Sequence, residues 1–255
     1  MKALIIFGST SDKDVYNGIA KGLDSEGIEY DLKVLSAHRT PKEVSKIKFD
    51  KYFTILAGAG LAAHLPGVIA AKTSRPVIGV PCNGAFDGLD SWLAIVQMPP
   101  GTPVLCVGVN NFASAAIGAK LIKDAPSTFN LCFSERGKAV EKAMQTLSAF
   151  RIKYSESKTP LENTINIIFS EVNDPLIQAG LSIFCPVADK SYATDAVSWM
   201  KKANDGMWVG LNRGENAVLA AMQVCGKYNK QLAKYKAELR KKIIMENKLV
   251  QNGSA

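Results

Sequence analysis

Short apolar runs alternate with helical patterns along the first half of the chain, from Met1 to Asp124. The run from Leu4 to Phe7 is typical of a buried strand. After it, Val15, Ile19 and Leu23 recur every four residues, which predicts a helix with one apolar face. Because strand and helix patterns keep alternating, the sequence predicts an α/β fold, in which a parallel sheet carries helices on both faces.

The expected elements continue in this order as far as a helix that begins near Ala113. We expect strands at residues 30–34, 52–56, 77–80 and 104–109, and further helices beginning at residue 41 and spanning residues 89–96. The architecture is therefore a three-layer αβα sandwich, flavodoxin-like or Rossmann-like. Ligands bind such folds outside the carboxyl ends of the strands, where the loops at Gly8, Ser36, Gly58 and Pro81 are expected.

A helix start follows the second of these loops. Thr40-Pro41-Lys42-Glu43 has the pattern of a capping box with proline at the first helical position. This pattern predicts a helix fixed directly behind His38 and Arg39.

The second half of the chain repeats the first with altered residues. Leu131-Cys132-Phe133 matches Ile5-Ile6-Phe7, and Ser155 to Pro160 matches Ser36 to Pro41, with Ser157 in place of His38. We therefore predict a tandem duplication: a catalytic domain at residues 1–125, a degenerate repeat at 126–228, and a basic C-terminal helix and tail at 229–255.

Composition and charge narrow the function classes. The net charge is +8, but eight basic and two acidic residues of the segment 227–248 supply most of it. A basic helical tail is usually a solvated face or packs on a neighbour, so nucleic acid is not the expected partner.

The apolar N-terminal run is too short for a signal peptide and no membrane span is evident, which predicts a cytoplasmic protein. The five scattered cysteines lack zinc-site spacing and are expected to be buried, reduced thiols.

Only two histidines are present, His38 and His64. An imidazole exchanges protons near neutral pH, and the Arg39 guanidinium beside His38 has the fork geometry that binds phosphate. The loop from Gly8 to Asp12, with Ser9 and Ser11, can form an anion cradle at a helix N-terminus, although such a cluster is equally typical of a simple helix cap. His64 could be a packing residue or a pocket wall. Together these residues predict acid/base chemistry on a phosphorylated small molecule.

These motifs resemble the carboxyaminoimidazole ribonucleotide mutases of purine biosynthesis, which are relatives of aminoimidazole ribonucleotide carboxylase. The resemblance covers residues 3–122 and, as a degraded copy, residues 129–226. It rests on Gly8 to Asp12, Ser36 to Pro41, Ala57 to Gly67, and Asp90-Ser91 with Val96 to Pro99.

The resemblance implies a reaction without metal or organic cofactor, in which a carboxylate leaves nitrogen as carbon dioxide and is recaptured by a ring carbon. It implies that His38 is the acid/base. The implied substrate-binding residues are Ser9, Ser11, Asp12, Ser36 and Arg39 for the ribose phosphate, and Gly58, Ala59, Gly60, His64 and Leu65 for the base and the carbon dioxide.

Family members usually form octamers of single-domain subunits, so the duplicated chain is expected to form a homotetramer. Arg39 and the segment His64-Leu65-Pro66-Gly67 favour the mutase branch. Direct carboxylation of aminoimidazole ribonucleotide and a noncatalytic nucleotide-binding protein remain the alternatives. The loop from Cys82 to Phe86 departs from the family pattern, so the resemblance does not determine the shape of the substrate lid.

Overall fold

The computed structural model describes residues 1–251, and within them ten strands form one sheet. The order across the sheet is β2-β1-β3-β4-β5-β10-β9-β8-β6-β7. The strands are β1 (Lys2–Phe7), β2 (Tyr30–Val34), β3 (Tyr52–Ala59), β4 (Val77–Pro81), β5 (Leu105–Cys106), β6 (Phe129–Cys132), β7 (Tyr154–Ser157), β8 (Ile165–Ser170), β9 (Leu181–Pro186) and β10 (Met207–Trp208). All neighbouring strands run parallel except β5 and β10, which pair antiparallel through Cys106 and Trp208. The predicted α/β fold is confirmed.

Helices cover both faces of the sheet. They are α1 (Lys13–Ser25), α2 (Pro41–Ser45), α3 (Leu65–Ala70), α4 (Leu89–Val96), α5 (Phe112–Lys123), α6 (Lys138–Ala149), α7 (Ala193–Lys202), α8 (Gly214–Cys225) and α9 (Asn229–Gln251). The apolar faces of α1, α5, α6 and α8 form one core with the sheet, and those of α2, α3, α4 and α7 form the other. The expected repeat of apolar residues on α1 lies in the first core, where Val15, Ile19 and Leu23 are buried.

Each half of the sheet has five strands in the same relative order, 2-1-3-4-5 in the first half and 7-6-8-9-10 in the second. Local geometry repeats as well. Asn110 and Asn212 both have left-handed backbones, and their N–H groups donate to the carbonyls of Pro81 and Pro186, both at 2.8 Å. These parallels support the predicted duplication, while the division into residues 1–125 and 126–228 stays a prediction.

The second half lacks two helices of the first. Within the described residues, β7 leads to β8 and β8 leads to β9 through loops, where α2 and α3 occupy the corresponding connections of the first half. Buried amides occupy this face instead of aliphatic side chains. The Asn130 Nδ2 group donates to Asn166 Oδ1 at 3.0 Å, and Asn166 Nδ2 donates to the carbonyls of Leu161 and Ala179. The two amides therefore tie the loops to the strands.

Two local predictions need correction. Thr40 precedes α2 but its side chain makes no bond to that helix; its Oγ1 accepts from Ser36 N–H at 2.8 Å and donates to Ser36 O, so the capping box does not form. The strand expected at 104–109 is only two residues long. Leu32 and Val34 are exposed because β2 is an edge strand.

Helix α9 begins on the protein body and ends away from it. Leu232 is buried and Tyr235 packs against Phe150, whereas every residue from 241 to 251 is exposed. No helix within residues 1–251 is long and apolar enough to cross a membrane. Residues 252–255, the end of the predicted helix and tail, lie outside the described residues.

Candidate functional site

The site is formed by the loops that follow β1, β2, β3 and β4. Because these four strands are parallel neighbours, their carboxyl ends lie at one edge of the sheet. Ser9, Ser11 and Asp12 follow β1; Ser36, His38 and Arg39 follow β2; Gly60 and His64 follow β3; and Cys82 follows β4.

The two histidines of the chain are in direct contact. His38 Nε2 and His64 Nδ1 are 2.8 Å apart, and the rings meet edge to face with centroids 4.9 Å apart. One of these nitrogens must carry the hydrogen and the other must accept it, so the pair shares a single proton across this bond. Both residues are exposed, which leaves the pair accessible to a ligand. His64 is therefore not a packing residue of the core, and its role as part of a pocket stays a prediction.

The turn that carries His38 is held by Ser36. The Ser36 hydroxyl accepts from the backbone N–H of His38 at 3.3 Å and from that of Arg39 at 3.2 Å. A serine that bonds the next backbone amides in this way stabilises a turn. Ser36 therefore positions the His38 backbone, and its hydroxyl is engaged within the turn.

Arg39 links the second loop to the first. Its Nη2 donates to the carbonyl of Gly8 at 3.2 Å. In that first loop, Ser9 Oγ accepts from Ser11 N–H at 3.2 Å and from Ser11 Oγ at 2.9 Å, and Ser11 Oγ also contacts Asp12 Oδ1 at 3.2 Å. Ser9 thereby caps the short 3-10 turn at Thr10–Asp12. The structure thus shows the helix-cap interpretation of this loop, and the anion cradle stays a prediction.

Asp12 is the carboxylate of the site. Partial burial raises its pKa above the usual value, and hydrogen bonds from Ser11 and Cys82 oppose that shift. The Cys82 thiol is itself buried, and burial together with the nearby Asp12 charge raises the pKa of Cys82 well above its usual range. The thiol therefore stays protonated and can donate to the Asp12 carboxylate.

The residues at the end of β3 and just after it have different surroundings. A Cβ added at Gly58 would lie 2.1 Å from the Phe7 ring, so this glycine accommodates core packing, and its carbonyl accepts from Gly8 N–H. Leu65 is buried in the core at the start of α3. Ala59 and Gly60 are half-buried at the strand end beside the site. A substrate-binding role for these four residues stays a prediction.

The loops after β4 and β5 also lie at this edge, although no individual residue in them was predicted to bind the substrate. The backbone N–H of Asn83 donates to Asn110 Oδ1 at 2.9 Å, which joins the two loops. Phe86 and Asp87 have left-handed backbones with φ of 54° and 55°, and Phe86 is 80% exposed. Two features of the sequence pointed to this region, the strand end at Pro81 and the unusual loop from Cys82 to Phe86.

The corresponding edge of the second half has no histidine. Ser157, the counterpart of His38, donates through Oγ to the Thr159 carbonyl at 2.6 Å. Arg136, in the loop after β6, pairs with Glu156 of β7 at 3.0 Å. The chemistry-bearing groups of the first half are therefore replaced by groups that bond one another.

Two cavities of about 510 and 430 Å³ lie away from the histidine pair. They share Asp50 and Lys72 and contain none of the predicted site residues. Within residues 1–251, no three His, Cys, Asp or Glu side chains are grouped so that they could hold a metal ion.

Comparison with known proteins gives matches in the first half of the chain. Residues 2–127 match the family described as AIR carboxylase. A protein of Methanocaldococcus jannaschii named N5-carboxyaminoimidazole ribonucleotide mutase is 49% identical over 114 residues, which are 44% of this chain and 73% of that protein. A protein of the same name from Pyrococcus abyssi is 50% identical over 121 residues, 46% of this chain and 70% of the relative. A Saccharomyces cerevisiae protein named phosphoribosylaminoimidazole carboxylase is 47% identical over 118 residues, 44% of this chain and 21% of that protein.

Proposed function

This chain belongs to the AIR carboxylase family, and from that premise we propose that it converts N5-carboxyaminoimidazole ribonucleotide to 4-carboxy-5-aminoimidazole ribonucleotide in purine biosynthesis. The observation that carries the proposal is the His38–His64 pair, 2.8 Å apart, beside Arg39 at the carboxyl edge of the sheet. A proton-exchanging group next to an anion-binding group is the combination that an isomerisation of a carboxylated nucleotide requires.

His38 is proposed as the acid/base of both half-reactions. In the first, the bond between the exocyclic nitrogen and the carboxylate carbon breaks, carbon dioxide is released, and the nitrogen takes a proton from His38. In the second, the ring carbon forms a bond to that carbon dioxide and loses its proton to His38. The proton borrowed in the first step is returned in the second, so the reaction is an isomerisation that uses no metal or organic cofactor.

His64 is proposed to orient the His38 ring. When His38 is protonated, its Nε2–H donates to His64 Nδ1, and this bond fixes the plane of the ring. An acid/base must be held within hydrogen-bond reach of the reacting atom, so a fixed ring plane favours proton transfer.

The phosphate and ribose of the substrate are proposed to bind at Arg39 and the loop after β1. Arg39 has other N–H donors besides the one bonded to Gly8 O, and a guanidinium binds phosphate oxygens in pairs. Ser9, Ser11 and Asp12 lie on the same loop and would exchange their mutual bonds for bonds to the ribose phosphate. Ser36 contributes by holding the Arg39 backbone.

Direct carboxylation of aminoimidazole ribonucleotide is the second candidate. It is favoured by the yeast relative, whose name is that of a carboxylase. Both reactions use the same groups, and they differ in which substrate is consumed.

A paired rate assay tests the proposal. The purified chain is given N5-carboxyaminoimidazole ribonucleotide alone, or aminoimidazole ribonucleotide with excess bicarbonate. Fast conversion of the first and slow conversion of the second is the expected result. The opposite preference would identify a carboxylase, and no turnover of either would leave a noncatalytic nucleotide-binding protein.

A homotetramer is the proposed assembly, in which four duplicated chains take the place of eight single-domain subunits. The exposed apolar residues of the edge strand, Leu32 and Val34, and those near the end of α9, such as Ile243 and Val250, support contacts between chains. Light scattering on the purified chain should give a mass of four chains, and a monomer mass would contradict the proposal. The cytoplasmic location stays a prediction.

A further inference from the structure

Beside the antiparallel pair β5–β10, each half of the chain contacts a loop of the other half, and the two contacts are equivalent. A Cβ on Gly210 would lie 2.9 Å from both the Val96 carbonyl and the Gln97 side chain. A Cβ on Gly108 would meet the equivalent pair in the other half, the Ala203 carbonyl and Asn204. Each glycine therefore lets the backbone of one half approach the loop after α4 or α7 in the other.

The two sets of contacts differ in the side chains that bind the loops after α4 and α7. Asn216, on the first turn of α8, accepts from Gly101 N–H at 2.9 Å and donates to the carbonyls of Pro99 at 3.0 Å and Met98 at 3.4 Å. Its counterpart on α5, Ser114, donates through Oγ to the Asn204 carbonyl at 3.2 Å, and Asn111 Nδ2 donates to the same carbonyl at 2.6 Å, so in the first half two side chains bind one backbone group. In the second half, the longer and buried Asn216 amide therefore bonds three backbone groups of the loop after α4.

The turn at residues 98–101, which Asn216 bonds, also packs against α9. Gly101 is buried with φ of +87°, a left-handed conformation that favours glycine. A Cβ at this position would lie 2.3 Å from Leu239 and 3.6 Å from Tyr235. Because α8 and α9 both follow the second sheet half, that half fixes the path of residues 98–101.

Met98 connects this turn to the histidine pair. Its Sδ and Cε atoms pack on Gly67, where an added Cβ would be 3.1 Å from each. Gly67 lies in the first turn of the six-residue helix α3, and His64 is the N-cap of that helix, with its carbonyl accepting from Val68 N–H at 2.9 Å. A displacement of Met98 therefore acts on the short helix from which His64 reaches His38.

We infer that Asn216 is a positioning residue for the His38–His64 pair, acting through residues 98–101 and the Met98 side chain on α3. The inference rests on the proposed function, since it assigns a role in the reaction of His38. It gives the half of the chain without histidine a specific task, which is to fix the loop that supports the other half's acid/base.

The test compares Asn216→Ala with Ser114→Ala, the control at the equivalent position of the other half. We expect Asn216→Ala to lower kcat about tenfold, because small displacements of a catalytic group have large effects on rate, with KM within about twofold of wild type. Ser114→Ala should leave kcat unchanged, because the loop it contacts supports no histidine. Since the chain has only two histidines, histidine labelled with 13C at Cε1 alone gives two ring signals, and both should shift in Asn216→Ala and neither in Ser114→Ala.

Wild-type kcat and unshifted histidine signals in Asn216→Ala would overturn the inference, as would equal effects of the two variants. If Asn216→Ala does not fold, Met98→Leu replaces it, because that exchange conserves most of the core volume while changing the contact with Gly67. Met98→Leu is expected to shift the His64 signal and lower kcat, and no change in either would overturn the inference. Failure of the wild type to turn over either substrate would refute the proposed function instead, and the histidine signals would still decide the structural coupling.

Discussion

Replacing Lys236 with methionine should change how the free energy of unfolding depends on pH. The Lys236 ammonium, on α9, is largely buried and donates to the carbonyls of Ala70 and Thr73 at the carboxyl end of α3. Burial lowers the pKa of Lys236 from its usual 10.5 to about 8. The charged side chains that line the adjoining cavity are Asp50, Lys72, Arg75 and Lys230.

The direction of the effect follows from proton binding. Between pH 8 and pH 10.5 the unfolded chain still binds a proton at Lys236 while the folded chain has released it, so stability rises with pH across this window. At about 1.4 kcal/mol for each pH unit, the full lowering of the pKa corresponds to about 3 kcal/mol. The Lys236→Met variant has no such proton. The difference in unfolding free energy, wild type minus variant, should therefore grow by about 2–3 kcal/mol from pH 8 to pH 10.5.

Urea unfolding followed by tryptophan fluorescence measures this difference, because Trp92, Trp199 and Trp208 are all buried in the folded protein. Taking the difference between two proteins cancels the titration of the groups they share. Lys234→Met is the matched control on the exposed side of the same helix and should follow the wild-type curve. A difference that stays constant from pH 7 to pH 10.5 would show that burial does not control the Lys236 proton.

Three further substitutions have definite expectations. His38→Asn should abolish turnover while calorimetry still detects nucleotide binding, because binding is assigned to other residues; loss of both would indicate a structural histidine. Gly58→Ala should lower stability by about 3 kcal/mol, because its Cβ would lie 2.1 Å from the Phe7 ring, and Phe7→Leu should restore part of the loss; an unchanged melting temperature would contradict this. Asn166→Ala should cost about 2 kcal/mol in urea unfolding, because it removes the acceptor of the Leu161 N–H group and one of the acceptors of Asn130 Nδ2, and a loss below about 1 kcal/mol would show that water replaces the amide.

Much of the candidate site could be predicted because it follows strand ends. Apolar runs locate β1 to β4 in the sequence. The polar residues of the site follow these strands within a few positions, as Ser9 follows β1, His38 follows β2 and Cys82 follows β4. The orientation of each side chain could not be predicted in the same way. Gly58 and Leu65 follow the same pattern, but the structure places the first against Phe7 and the second in the core. Capping failed at Thr40 because Ser36 competes for its hydroxyl.

By itself the sequence determined the alternation of strands and helices, the loops that carry the polar residues, and the likeness between the two halves. These features depend on periodicity and on neighbours along the chain, which are local properties. Only the tertiary structure decided that His38 bonds His64, 26 residues away, and that Asn216 bonds Gly101, 115 residues away. Such contacts depend on how helices and sheet halves dock. Docking is set by the packing of whole faces, which many different local sequences can satisfy.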